Sequence, residues 1–334
     1  MKYIFKNLVF EGGGVKGIAY GGALKVLEQK ELLGSIERVA GTSAGAINAT
    51  LLSLGYSIAE VSDIIAKTNF ADFEDHSGFF PKNVYRLINA FGWNKGDAFT
   101  EWLGALIKKK TGKADFTFGD LEKVIDEGSE PTFKFLYVAS TNLSQQKYTV
   151  LSHETHKETP IKEAVRMSMS IPLYFKAYKK KDNVYVDGGV SYNYPINIFD
   201  RKKYVSNPTN GNSSYNYFKT EDGIFNYETL GFRLDSKEVI DYAQRDWAPP
   251  PSRITGIKSY LGGLVSFMME MANKAHLHQN DWNRTIFIDT LDVGTTDFDL
   301  TDERISALLK SGQDCTNKYF EWRDGDPEWS KMPN

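Results

Sequence analysis

Ser43 lies in Gly41-Thr42-Ser43-Ala44-Gly45, a G-x-S-x-G stretch that follows the apolar run Ile36 to Ala40. In that pattern a strand turns sharply into a helix and lifts the serine hydroxyl above the end of a sheet, where it can act as a nucleophile. Gly41 and Gly45 flank the serine because a strained bend leaves no room for a side chain against the neighbouring backbone. A second glycine turn, Gly12-Gly13-Gly14-Val15-Lys16-Gly17, follows an apolar run ending at Phe10 and opens a helical pattern. Consecutive backbone N–H groups at a helix start stabilise an anion. Gly12, Gly13, Gly14 and Val15, with the N–H of Ala44 after the serine, are therefore the candidate oxyanion donors. The chemistry also needs a base. Asp187 ends the short strand-like run Val184 to Asp187, so in a shared sheet it would stand on the same rim as Ser43 and could accept its proton. Asp187-Gly188-Gly189 is equally a turn signal, and a purely structural role is its alternative.

Two other readings use the same residues. Gly12, Gly14 and Gly17 also fit G-x-G-x-x-G, the turn of a dinucleotide-binding oxidoreductase. That fold places an acidic residue at the end of its second strand. Here that position is taken by the serine elbow, and Glu37 lies at the wrong end of the run. A catalytically inert binding module is the other alternative. A Ser-Asp-His triad in the order Ser43, Asp187, then His276 or His278 is compatible with G-x-S-x-G. However, only one strand and one helix precede Ile36 to Gly45, which favours a dyad. His76, His153 and His156 lie in polar segments and read as exposed. His276 and His278, two apart on a predicted helix, point to different faces and make a poor chelate.

The elements that must position these groups alternate. A strand is expected at Tyr3 to Phe10, a helix at Gly17 to Lys30, a strand at Ile36 to Ala40 and a buried helix at Ala44 to Leu54. This order predicts an α/β fold with a mainly parallel sheet, whose functional residues gather at the carboxyl ends of strands. Helices follow from Ile58 to Gly128, interrupted by an aromatic-rich connection at Phe70 to Phe91. Strands return at Phe133 to Ser140, Lys147 to Leu151 and Val184 to Asp187, with a helix at Pro160 to Met169. Arg201 to Glu228 reads as a long surface excursion. Strands at Thr229 to Leu234 and Thr285 to Asp289 bracket a break at Trp247 to Ser252 and a helix at Ile254 to Leu277. That helix could cover the site or touch lipid, but an ordinary core helix is the plainer expectation. A terminal packing helix runs from Asp302 to Trp322.

Composition bounds the function. With 334 residues, 41% hydrophobic and 25% charged, the chain reads as a globular protein with a full core. A net charge of −3 and only short basic triplets at Lys108–Lys110 and Lys179–Lys181 argue against nucleic acid as a partner. The single cysteine, Cys315, excludes an internal disulfide, so a cytoplasmic location is expected. The start of the chain lacks signal-peptide character, and the longest apolar stretch, Tyr260 to Met269, is too short to span a bilayer.

Taken together, Gly12 to Gly17, Gly41 to Gly45 and Asp187 to Gly189 resemble, in order and separation, the motifs of the patatin-like phospholipases. Ser168 to Pro172 and Asn193-Tyr194-Pro195 strengthen the likeness. The resemblance implies a three-layer α/β/α sandwich forming one catalytic domain over 1–334, with the core motifs in 8–200 and residues 201–334 completing or covering it. It also implies hydrolysis of phospholipid or lysophospholipid esters through an acyl-enzyme on Ser43 with Asp187 as base, and a supporting role for Lys16 in the loop. No cofactor or metal is expected, and contact with a membrane surface would be transient and peripheral.

Overall fold

The computed structural model describes residues 3–68, 73, 92–213, 221–237, 240, 254–276, 280–295 and 297–325. The aromatic connection, the break at 247–252, His76 and His278 fall outside these residues, apart from Phe73. The strands are β1 (Asn7–Phe10), β2 (Arg38–Thr42), β3 (Gly92–Asn94), β4 (Phe135–Asn142), β5 (Lys147–Leu151), β6 (Leu173–Phe175), β7 (Tyr178–Lys180), β8 (Asn183–Asp187), β9 (Gly211–Asn212), β10 (Phe225–Asn226), β11 (Thr229–Asp235) and β12 (Thr285–Asp289). The helices are α1 (Ala19–Gln29), α2 (Ala44–Ser53), α3 (Ile58–Lys67), α4 (Asp97–Thr111), α5 (Phe118–Asp126), α6 (Ile161–Ser168), α7 (Ile257–His276) and α8 (Asp302–Gly325).

An eight-stranded sheet runs β12-β11-β1-β2-β4-β8-β7, with β5 also on β4. The five strands from β12 to β4 are parallel, whereas β5, β8 and β7 pair antiparallel. The expected mainly parallel α/β sandwich is therefore present. Its outer layers are unequal. Alternate residues point to opposite faces of a strand. Leu8, Phe10, Val39, Leu136 and Val138 join the large core that contains the helices, while Val9, Ala40 and Tyr137 meet Tyr194, Ile196, Phe199 and Tyr204, carried largely by 3-10 turns.

Several boundaries differ from the sequence expectations. β1 begins at Asn7 because its partners begin at Thr229 and Arg38. The predicted Gly17 helix is a 3-10 turn over Gly14–Ile18 followed by α1. β2 extends two residues beyond Ala40 because Gly41 and Thr42 pair with Val138 and Ala139. The strand thus runs directly into the elbow. α2 is buried at every position from Ala44 to Ser53, which a helix of alanine, leucine and small polar residues tolerates when the core surrounds it. α3 is started by a capping box in which Ser57 and Glu60 satisfy each other's backbone N–H groups.

The excursion at 201–228 is not merely a surface loop. Its described residues form 3-10 turns at Lys202–Tyr204 and Pro208–Asn210 and the antiparallel pair of β9 and β10. Phe225, Asn226 and Glu228 are fully buried. The polar ones are satisfied: Asn226 Nδ2 donates to Phe199 O at 2.9 Å, and Glu228 accepts from Ser206 and Asn210. Helix α7 also departs from the core expectation. Met269, Ala272 and Asn273 are buried, but Tyr260, Leu264, Phe267 and Met271 are exposed. No helix among the described residues is long and apolar enough to cross a membrane.

Candidate functional site

Ser43 and Asp187 are brought together by a feature of strand pairing. β2 pairs with Phe135 to Ala139 of β4, and β8 pairs antiparallel with Ser140 to Asn142. β5 occupies the other edge of β4 along Val138 to Asn142. A strand has only two edges, so β2 and β8 lie end to end on the same one. Their carboxyl ends meet where Ala139 gives way to Ser140. Thr42 is the last residue of β2 and Asp187 the last of β8, so the elbow and the carboxylate are neighbours by register.

The elbow is strained as its sequence requires. Ser43 has φ 51° and ψ −122°, a region that a residue with a Cβ enters only under constraint. The bend closes so tightly that a Cβ on Gly41 would strike the Gly45 carbonyl, and one on Gly45 would stand 2.5 Å from the carbonyls of Phe10 and Glu11. Three hydroxyls hold the junction. Ser168 Oγ accepts the Ser43 N–H at 2.8 Å and donates to Ala139 O at 2.5 Å. Thr42 Oγ1 donates to Tyr192 O at 3.0 Å, and Thr141 Oγ1 to Asp187 O at 2.8 Å.

Asp187 is wholly buried and Ser43 is 3% exposed. The Gly189 N–H donates to Asp187 Oδ1 at 2.7 Å, while Oδ2 has no well-aligned partner in the resting geometry. Burial raises the pKa to about 7, opposed by the Gly189 N–H and the adjacent Ser43 hydroxyl, and no imidazole of the described residues contributes. His276 instead places Nε2 2.9 Å from Ser191 O and packs against Tyr148 and Tyr192. His153 and His156 are half-buried rather than exposed. His153 packs on Phe135 and Tyr137, and burial lowers the pKa of both histidines.

The glycine loop lies directly beside the serine: a Cβ on Gly12 would stand 3.2 Å from Ser43 Cβ. Two of the expected oxyanion donors are already engaged. The Gly12 N–H donates to Asn193 O at 3.1 Å, and the Val15 N–H to Thr295 O at 3.3 Å. Among the described residues the N–H groups of Gly13, Gly14 and Ala44 have no such partner, which narrows the candidate set to these three. Gly14 has φ +58°, and Thr295 O fills the space a Cβ would need. Lys16 Nζ donates to Leu234 O at 3.3 Å and ties the loop to β11. Gly17 packs on Ala44, whose Cβ would stand 3.1 Å from an added one. Gly188 and Gly189 shape the turn after Asp187, where Met269 of α7 would meet a Cβ on Gly189 at 2.8 Å.

The sequence reading missed Glu11. It is buried beneath the glycine loop, and its pKa is raised to about 7 by burial, against the pull of Arg233. Its only sequence signal was position: a carboxylate between an apolar strand and a glycine turn.

Comparison with known proteins agrees with this architecture. Over 327 residues the chain is 29% identical to protein YqhO of Bacillus subtilis (strain 168), covering 94% of this chain and 97% of that one. It is 29% identical over 199 residues to the probable lipid hydrolase 463L of Invertebrate iridescent virus 6, covering 58% of this chain and 63% of that one. Among solved structures, VipD from Legionella pneumophila superposes with a TM-score of 0.62 at 17% identity, covering 96% of this chain and 67% of that one. This last likeness shows the fold alone. The model of the patatin-like phospholipases matches residues 8–200, the span holding the glycine loop, the serine elbow and the buried aspartate, and the chain belongs to that family.

Proposed function

We propose that the chain is a serine-dependent lipid acyl hydrolase that cleaves carboxylic esters of phospholipids or lysophospholipids, using Ser43 as nucleophile and Asp187 as base. The observation that supports this reading most is the buried Asp187 carboxylate, adjacent to Ser43 and without a counter-ion among the described residues. As Ser43 Oγ attacks the ester carbonyl, its proton passes to Asp187, and the N–H groups of Gly13, Gly14 and Ala44 hold the oxyanion at the start of α2. The tetrahedral intermediate collapses, the alcohol leaves with the proton from Asp187, and the acyl group stays on Ser43. Water then attacks the acyl-enzyme and gives a proton to Asp187, which passes it to Ser43 Oγ as the fatty acid leaves. Acyl transfer to another alcohol would use the same intermediate. Residues 201–325 belong to the same catalytic unit on this reading, since β11 and β12 extend the sheet beside β1.

The exposed face of α7 supports transient contact with a lipid surface. Tyr260, Leu264, Phe267 and Met271 recur at three- and four-residue spacing, while the opposite face of the helix meets the turn after Asp187. The relative 463L, named as a probable lipid hydrolase, agrees with this substrate class. The test is a panel of phospholipids and lysophospholipids incubated with the wild type and Ser43→Ala, with released fatty acid read by mass spectrometry. Release by the wild type and a loss of at least about 10³-fold in the variant is expected. Equal release would remove Ser43 from the chemistry, and an inert wild type would favour a binding module.

A further inference from the structure

Glu11 takes no part in the steps above, yet its carboxylate gathers separate parts of the chain. Oε2 accepts the Leu234 N–H at 2.7 Å. Oε1 accepts Asn193 Nδ2 at 3.0 Å and Asn273 Nδ2 at 2.6 Å. Arg233 Nε stands 3.9 Å from Oε2, and Arg233 Nη2 pairs with Asp235 at 2.8 Å. One side chain at the end of β1 therefore holds β11, the segment after Asp187 and helix α7. Burying a carboxylate carries a desolvation cost that an apolar side chain would avoid. What distinguishes Glu11 is the set of groups it joins.

Helix α7 is the element most in need of such a tie. Its outer face is apolar and exposed, so packing fixes it less firmly than an ordinary core helix. Its inner face carries Met269 and Asn273, one turn apart and both buried. Met269 rests against Gly189, two residues from Asp187, and Asn273 reaches Glu11. A second tie lies at the end of the helix, where Asn197 Nδ2 donates to His276 O at 3.4 Å and His276 Nε2 meets Ser191 O. Asn273 is therefore the link between the body of the helix and the strand that launches the glycine loop.

We propose that Glu11 is a positioning residue whose carboxylate, through Asn273, latches helix α7 over the Ser43–Asp187 pair. The consequence for catalysis rests on the proposed hydrolase reading; the latch itself does not. The test is hydrogen–deuterium exchange by mass spectrometry on the whole chain, comparing the wild type with Glu11→Gln and Asn273→Ala. Removing the donor in Asn273→Ala should speed exchange in 257–276 by about ten- to a hundred-fold, and weakening the acceptor in Glu11→Gln should speed it less, while β2 and α2 keep their protection. Asn273→Asp, which turns the donor into an acceptor facing Glu11, should exceed Asn273→Ala. If Glu11→Gln fails to fold, the two Asn273 variants carry the test, because they leave the Leu234 and Arg233 contacts intact. Wild-type protection of 257–276 in the Asn273 variants, or a loss spread evenly over the chain, overturns the latch. Labelling of wild-type Ser43 by a fluorophosphonate is measured in parallel. An unreactive serine would refute the hydrolase reading and leave the exchange result to decide the latch.

Discussion

Asp187 and Asp200 are both buried carboxylates whose pKa values burial raises, yet their surroundings are opposite. Asp200 is neutralised by Arg284, with Nη1 2.6 Å from Oδ1 and Nη2 2.7 Å from Oδ2, and it accepts the Asn226 N–H at 3.1 Å. The same guanidinium also holds Asp281 at 2.7 Å, with Arg284 only 1% exposed. Among the described residues Asp187 has no cation beside it, and its Oδ2 accepts no hydrogen bond. On the proposed reading of Asp187 as base, burial alone does not make a base. A buried carboxylate fixed by a fork of donors is a structural knot, whereas one denied a counter-charge keeps a proton affinity matched to neutral pH.

The two regions should respond differently to substitution. The largest expected effect is on the knot: Arg284→Met would leave Asp200 and Asp281 buried without their cation and cost about 3–5 kcal/mol of stability. Urea denaturation reads this directly, and a change below about 1 kcal/mol would mean that the knot is dispensable. Next comes the glycine loop. Gly14→Ala places a Cβ against Thr295 O at a left-handed residue, so the loop must move and misplace its donors. Ester hydrolysis should fall by about 100- to 1,000-fold with the fold retained. Activity within a few-fold of the wild type would assign the loop another task.

The smallest effect has the opposite sign. The folded pKa of Asp187, about 7, lies above the ordinary 3.8, so protonation stabilises the native state below the lower value and that contribution is lost as pH rises through the upper one. Asp187→Asn cannot ionise. It should therefore be more stable than the wild type at pH 8, with the difference shrinking as the pH falls toward 4. Thermal unfolding at both pH values checks this, and a variant less stable at pH 8 would indicate that Asp187 is structural after all.

The sequence made the local parts of this site legible and hid the distant ones. The elbow and the glycine loop could be read because a sharp bend dictates the residues within it. The end of β2 was placed two residues early, since the pairing of Gly41 and Thr42 with β4 depends on residues almost a hundred positions away. The knot escaped notice for the same reason: Asp200 and Arg284 are 84 residues apart, and an Asn- and Tyr-rich segment looks solvated until its partners are known. Glu11 is the extreme case, with side-chain partners 182 and 262 residues along the chain. Helix α7 misled in the other direction, because an apolar stripe carries no mark of whether protein or solvent lies beyond it.

The most direct test of the Ser43–Asp187 pairing is the rate at which a small fluorophosphonate labels Ser43 as a function of pH, in the wild type and in Asp187→Asn. The pairing predicts a wild-type rate that rises with pH through about 7, as Asp187 loses its proton, and a variant rate lower by at least about 10³-fold throughout. Labelling of the wild type independent of pH between 5 and 9, or a folded variant that labels as fast as the wild type, would contradict it.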